Sequence, residues 1–241
     1  MSAVIPVVVA AYLLLAQLAP PERSAIEDYR AALRDAEARR PPASLEPVFA
    51  RALRVGEALL HVRGDGRAAI ESLPAADFAR LVGELPGLIV NRDETVYVKP
   101  DPAYFLRLAQ RHGTPADRAF FEAYHRTLPD GVWPAYVKPQ TDYSGCTAFG
   151  QGELVATYRV WREFARAFPG SYGVTVARLV RDVEVSVAQS TCACGDAASV
   201  ERELHEFLTT FPGSPVSTAI AQRLRELRAR RSAIRFVCLS G

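Results

Sequence analysis

Cys192 and Cys194 are separated by a single alanine, and the chain holds only two further cysteines, Cys146 and Cys238. A bridge between such near neighbours is strained. If all four pair, Cys146 and Cys238 must therefore both be tied to the Cys192-Ala193-Cys194 node, in either of two connectivities. Each would gather an interior segment and the C-terminal tail onto one point, and each closed loop would contribute about 3–4 kcal/mol by the chain-entropy model. Paired cysteines belong to oxidising compartments. The competing arrangement is a zinc site of Cys192, Cys194, Cys238 and His205. Its Cys-x-Cys spacing is not that of a zinc knuckle, and no second cysteine pair follows. No cofactor is expected.

The N-terminus points to the same compartment. No charged side chain occurs before Glu22, and Val7 to Leu18 is an apolar block. That block is shorter than the roughly 20 residues of a membrane span and fits the core of a signal peptide. Residues 1–21 are accordingly expected to act as a signal peptide or an N-terminal anchor, with export to the periplasm or the extracellular space. The rest of the chain is an ordinary globular mixture, 49% hydrophobic and 23% charged. Its 29 basic and 27 acidic residues leave a net charge of +2, too small a field to suggest a nucleic-acid partner. All the basic residues except Lys99 and Lys138 are arginine. With single methionine and asparagine residues beside them, these read as coding bias.

Helical periodicity dominates. Ile26, Tyr29, Leu33 and Ala36 share one face, as do Leu45, Val48, Ala52, Val55 and Leu59. The Pro41-Pro42 break between them predicts an antiparallel helix pair, with Ser44 as N-cap of the second helix. Short helices follow over 75–84 and 102–111, and another begins at Thr114-Pro115. Only residues 88–98 change period, with Leu88-Ile89-Val90 and Thr95 to Val98 flanking a polar turn; they predict a β-hairpin that must lean on helices. The fold class expected is mainly α: about eight helices in antiparallel hairpins with one small β-hairpin. Residues 22–127 form an N-terminal helical subdomain and 153–241 a C-terminal one. Between them, 128–152 is rich in Pro and Gly and reads as an irregular connection, too long for an ordinary loop.

In the last third a helix hairpin is written twice. Leu154, Tyr158, Trp161, Ala165 and Phe168 form one face, and Val200, Leu204, Phe207 and Phe211 form another. Each helix ends in Phe-Pro-Gly-Ser, at 168–171 and 211–214, which predicts a helix stop followed by a serine cap for the next helix. Over 153–231 this pattern resembles the helical-hairpin units of tetratricopeptide-like repeats in exported bacterial envelope proteins. The resemblance implies a surface that binds a protein or peptide partner.

Several residues are candidates for chemistry or recognition. Trp133, Tyr136, Tyr143 and Phe149 concentrate aromatic anchors in the 128–152 segment, where a disulfide-pinned loop would present them to a partner. Arg228, Arg230 and Arg231 make the last helix basic, and with Arg223, Arg225 and Arg235 they are expected on its solvated side, suited to peripheral contact with anionic lipid or an acidic partner. The alternative function is a small hydrolase or peptidase. It would use Cys146 as nucleophile with His125 as base and Asp142 as orienter, or Glu122 and His125 as an acid/base pair one helical turn apart. Phosphate-binding loops, dinucleotide fingerprints, zincin helices and nucleophile elbows are all missing from the sequence. The non-catalytic partner binder is thus the leading expectation.

Overall fold

A computed structural model describes residues 18–39, 42–64, 66–141 and 143–238. The apolar block before Leu18 lies outside them. The described residues form nine α-helices and two two-stranded sheets, so the chain is mainly α with small β-hairpins. Its contacts divide into two compact units, one ending at Arg118 and one beginning at Ala119.

In the first unit, α1 (Pro20–Ala38) and α2 (Glu46–Leu59) pack along their lengths. They bury the periodic faces read from the sequence, with Ile26, Tyr29, Leu45, Val55 and Leu59 fully enclosed. Polar side chains then fix the ends. Glu22, almost wholly buried, accepts hydrogen bonds from the Arg63 guanidinium at 2.6 and 2.8 Å and from its own helix's Ala19 N–H at 2.7 Å. The Tyr29 hydroxyl donates to the Pro86 carbonyl. The N-cap of α2 is Leu45 rather than Ser44, which stands one residue earlier and accepts from Glu46 N–H at 3.2 Å.

The 88–98 hairpin is present as β1 (Leu88–Arg92) and β2 (Val96–Pro100), antiparallel with Val90 opposite Val98. It leans on α2, as two isolated strands must. The contact is close because Gly56 has no side chain: a Cβ there would lie 2.7 Å from the Val98 carbonyl oxygen. Alanine at this position would gain about 1 kcal/mol in helix propensity, whereas pushing β2 off the helix costs about 1–3 kcal/mol. The overpacking wins, so Gly56→Ala is expected to lower the denaturant midpoint; an unchanged or higher midpoint would show that the hairpin does not depend on this approach.

A 3-10 turn over Ala69–Ser72 and helix α3 (Ala75–Gly83) precede the hairpin, and α4 (Pro102–His112) follows it. Asp101 caps α4, accepting from Ala103 and Tyr104 N–H. Next comes α5 (Pro115–Thr127), within which the boundary between the units falls. Its start is held by the fully buried Asp117. One carboxylate oxygen accepts from Thr114 N–H and hydroxyl at 2.8 and 2.7 Å, and the other accepts from Leu45 N–H at 3.0 Å. A single side chain thereby joins the N-termini of α2 and α5.

The second unit contains α6 (Glu153–Ala167), α7 (Gly173–Gln189), α8 (Ala197–Thr210) and α9 (Ser217–Arg228). The α6/α7 and α8/α9 pairs are the two hairpins, and α6 also packs on α8. The Phe-Pro-Gly-Ser joints stop both first helices in nearly the same way, with Phe168 at φ −131°, ψ 67° and Phe211 at φ −130°, ψ 62°. Neither serine caps the next helix by its side chain: the N-caps are Tyr172 for α7 and Val216 for α9. Instead Ser171 and Ser214 donate their backbone N–H to the Phe168 and Phe211 carbonyls, closing a tight turn. At the first joint the following residue, Tyr172, adopts a left-handed φ of 53°, uncommon for a bulky residue. Its ring lies flat on Phe120 with centroids 3.7 Å apart, in an aromatic cluster with Trp161 and Phe164. Burial of that ring over-determines the backbone. A second cluster of Tyr158, Phe207 and Phe211 joins Leu154, Val200 and Leu204 between the hairpins.

Residues 128–152 are more ordered than their composition predicts. They include β3 (Val137–Pro139) and β4 (Gly145–Thr147), an antiparallel pair in which Lys138 faces Cys146.

Candidate functional site

Two features of the second unit concentrate constraint: the cysteine node and an arginine-lined groove. At the node, Cys146 is bonded to Cys194 and Cys192 to Cys238, with Cα–Cα distances of 5.1 and 5.9 Å. The backbone explains how adjacent cysteines serve two partners. Residues 191–195 run between β4 and the tail. On one side Thr147 N–H donates to the Cys192 carbonyl and Cys194 N–H to the Thr147 carbonyl. On the other, Ala193 N–H donates to the Arg235 carbonyl and Cys238 N–H to the Ala193 carbonyl. The Cys146–Cys194 bond reinforces the first contact and Cys192–Cys238 the second. Gln140, just after β3, also donates its side-chain amide to the Cys238 carbonyl, so hairpin, node and tail are one knot.

This arrangement removes Cys146 from nucleophilic chemistry, because its sulfur is already bonded and its side chain is buried. The same bonds occupy all the thiols a zinc site would need. Asp142 lies outside the described residues. Glu122 and His125 share α5. Two disulfides fit an oxidising compartment. No helix among the described residues is long and apolar enough to cross a membrane.

The four aromatic residues of 128–152 do not form one surface. Tyr136 and Phe149 belong to the core with Leu154, Val187 and Leu204, because β3 and β4 turn that side of the segment inward. Trp133 is half-buried in a turn whose Asp130 carboxylate accepts from Val132 and Trp133 N–H. Tyr143 alone projects fully, 73% exposed beyond the β3–β4 pair.

The arginines of the last helix separate into two kinds. Arg223 is not on the solvated side: its guanidinium is partly buried and donates to the Val187 and Ser190 carbonyls, completing the C-terminus of α7. Burial draws its pKa below the usual guanidinium range. Arg228, Arg230 and Arg231 are exposed as expected, and Arg228 pairs with Glu201 at 2.7 Å.

The groove was not singled out by the sequence. It is an open depression of about 610 Å³ between α6 and the end of α8, lined by Arg159, Arg162, Glu163, Ala165, Arg166 and Phe211. Spacings of three and four put the arginines on one stripe of α6. All three are exposed, and among the described residues none forms an ion pair. Arg162 stands 5.9 Å from the centroid of the Tyr158 ring, which in turn packs edge-on against Phe211 at 4.7 Å. Beneath them the Tyr158 hydroxyl donates to buried Glu184 at 2.9 Å. The groove therefore has an aromatic floor held by the core and a cationic rim that forms no ion pair among the described residues. Such a surface suits recognition, since it offers positive charge beside apolar area and no nucleophile or acid/base pair.

No family model, curated protein or solved structure was found to match the chain.

Proposed function

We propose that this is an exported, non-catalytic helical protein that holds a protein or peptide partner in the α6/α8 groove, in the periplasm or outside the cell. The observation that carries this reading is the groove itself, where half-buried Phe211 lies beside three exposed arginines that form no ion pair, on a helical scaffold pinned by two disulfides. A rigid scaffold loses little conformational entropy on binding. The resemblance of the Phe-Pro-Gly-Ser hairpins to tetratricopeptide-like units of envelope proteins supports the same reading. So do the apolar segment before Leu18 and the paired cysteines, which favour export.

Photo-cross-linking tests it. Ala165 lines the groove, whereas Val174 is 90% exposed on α7 and lies outside it. With benzoylphenylalanine at Ala165, irradiation in native cell envelopes is expected to give a discrete adduct, and none with the probe at Val174. Failure to cross-link at Ala165, or the same adducts from both positions, would count against a binding role for the groove.

A further inference from the structure

The rim charges of the groove are arranged for one kind of occupant. Arg159 and Arg166 are seven residues apart on α6, which places their Cα atoms about 10 Å apart along the axis. Side chains of an extended chain return to the same face every second residue, about 7 Å along the chain, so carboxylates at alternate positions can reach successive guanidinium groups along this stripe. Arg162 lies between them. Guanidinium groups are suited to planar, two-pronged contact with carboxylates, and these three have no competing internal acid in contact.

Two details argue against a uniform polyanion. Glu163 stands on the same helix among the arginines and lines the same groove, so a ligand carrying charge at every position would meet it with like charge. Phe211 and Ala165 supply apolar area that a phosphate backbone would leave uncovered. An extended peptide alternating acidic and apolar residues turns one set of side chains toward the arginines of α6 and the other toward Phe211. A planar anionic bilayer does not fit well, because the arginines border a depression rather than crown a convex face.

Resting on the partner-binding reading above, we infer that the α6/α8 groove recognises an acidic peptide segment in extended form, with carboxylates meeting Arg159, Arg162 and Arg166 and an apolar side chain seated on Phe211.

The probe is a fluorescent peptide alternating Glu and Leu, titrated by anisotropy against the disulfide-intact protein at low salt. Three comparisons accompany it: an alternating Glu and Ser peptide, single-stranded DNA, and vesicles of equimolar phosphatidylglycerol and phosphatidylcholine. The Glu–Leu peptide is expected to bind most tightly. The triple variant Arg159→Gln, Arg162→Gln, Arg166→Gln should weaken it about tenfold, equivalent to about 1.4 kcal/mol, and raising salt to about 0.3 M should do the same to the unsubstituted protein. Replacing Arg225 and Arg228 on α9 by Gln should leave the affinity unchanged. The substituted side chains are exposed, so circular dichroism and the melting temperature should match the parent. Equal binding by the triple variant would overturn the proposal. So would tighter binding of DNA or vesicles that the triple variant abolishes, which would reassign the groove to a polyanion or a lipid surface. A groove adduct at Ala165 without preference for the Glu–Leu peptide would overturn the acidic occupant while leaving partner binding standing.

Discussion

Replacing Cys146 and Cys194 together by Ala is expected to destabilise the second unit by about 4 kcal/mol, the chain-entropy value for a bridge of this span. The bond joins residues 48 apart and closes a loop containing β4, α6 and α7. In the unfolded chain, losing this bond frees the whole loop. In the folded chain Cys146 is buried, so its loss also leaves a gap beside Ala148 and Phe149, which are buried next to it. For a unit of this size, such a loss corresponds to a fall in melting temperature of about 10–20 °C. The Cys192–Cys238 bond spans a similar 46 residues, yet its removal should matter less. It secures residues 231–238, of which only Ile234 is buried among the apolar ones, so that segment can open locally while α6 to α9 stay packed. Parallel thermal melts of the two double-alanine variants decide this. Equal losses would mean that the tail is integral to the cooperative unit, and no loss from the Cys146/Cys194 pair would show that the node does not hold the fold.

What the sequence reveals follows the range over which each interaction acts. The α1/α2 pair, the 88–98 hairpin and the two Phe-Pro-Gly-Ser joints depend on neighbours within a turn or two, and each forms where the periodicity places it. The cysteines limited the pairings to two, and only the backbone ladder on both sides of residues 191–195 selects between them. Residues 128–152 read as irregular because β3 and β4 contain three residues each and offer no period to detect. That hairpin sends Tyr136 and Phe149 inward, so aromatic content did not translate into an exposed surface. The groove carried a legible signal, since Arg159, Arg162 and Arg166 repeat the 3, 4 spacing one residue beyond Tyr158, Trp161 and Ala165. Such a stripe along the margin of a core face looks like ordinary solvated charge. Whether internal acids neutralise it depends on α8, which lies far away in sequence.

The same blindness applies to Glu203, and here the expected effect is large. Mid-helix glutamates usually face water, but this one is fully buried in α8. One of its oxygens accepts from Gly150 N–H at 2.8 Å and Gly152 N–H at 2.7 Å, and the other from Leu154 N–H at 3.2 Å. Gly152 is the N-cap of α6 and has no side chain with which to cap it. Glu203 therefore does at long range what a serine or aspartate would do locally, and its charge sits at the positive end of the helix dipole. Glu203→Ala would strand three N–H groups, at about 1–3 kcal/mol for each that water does not reach, so a loss of about 3 kcal/mol or more is expected. Glu203→Gln retains one acceptor oxygen but points an amide donor at the remaining N–H groups, for an expected loss of about 2 kcal/mol. Glu184 provides the contrast. It is also buried, but it accepts from a hydroxyl, that of Tyr158, which glutamine can still satisfy. Glu184→Gln should therefore cost less than about 1 kcal/mol. Denaturant unfolding gives the order of the three variants, and hydrogen exchange locates the effect: the Gly152 and Leu154 amides should lose protection in both Glu203 variants. If Glu203→Gln is as stable as the parent, or if those amides stay protected, the start of α6 is held by something other than this carboxylate.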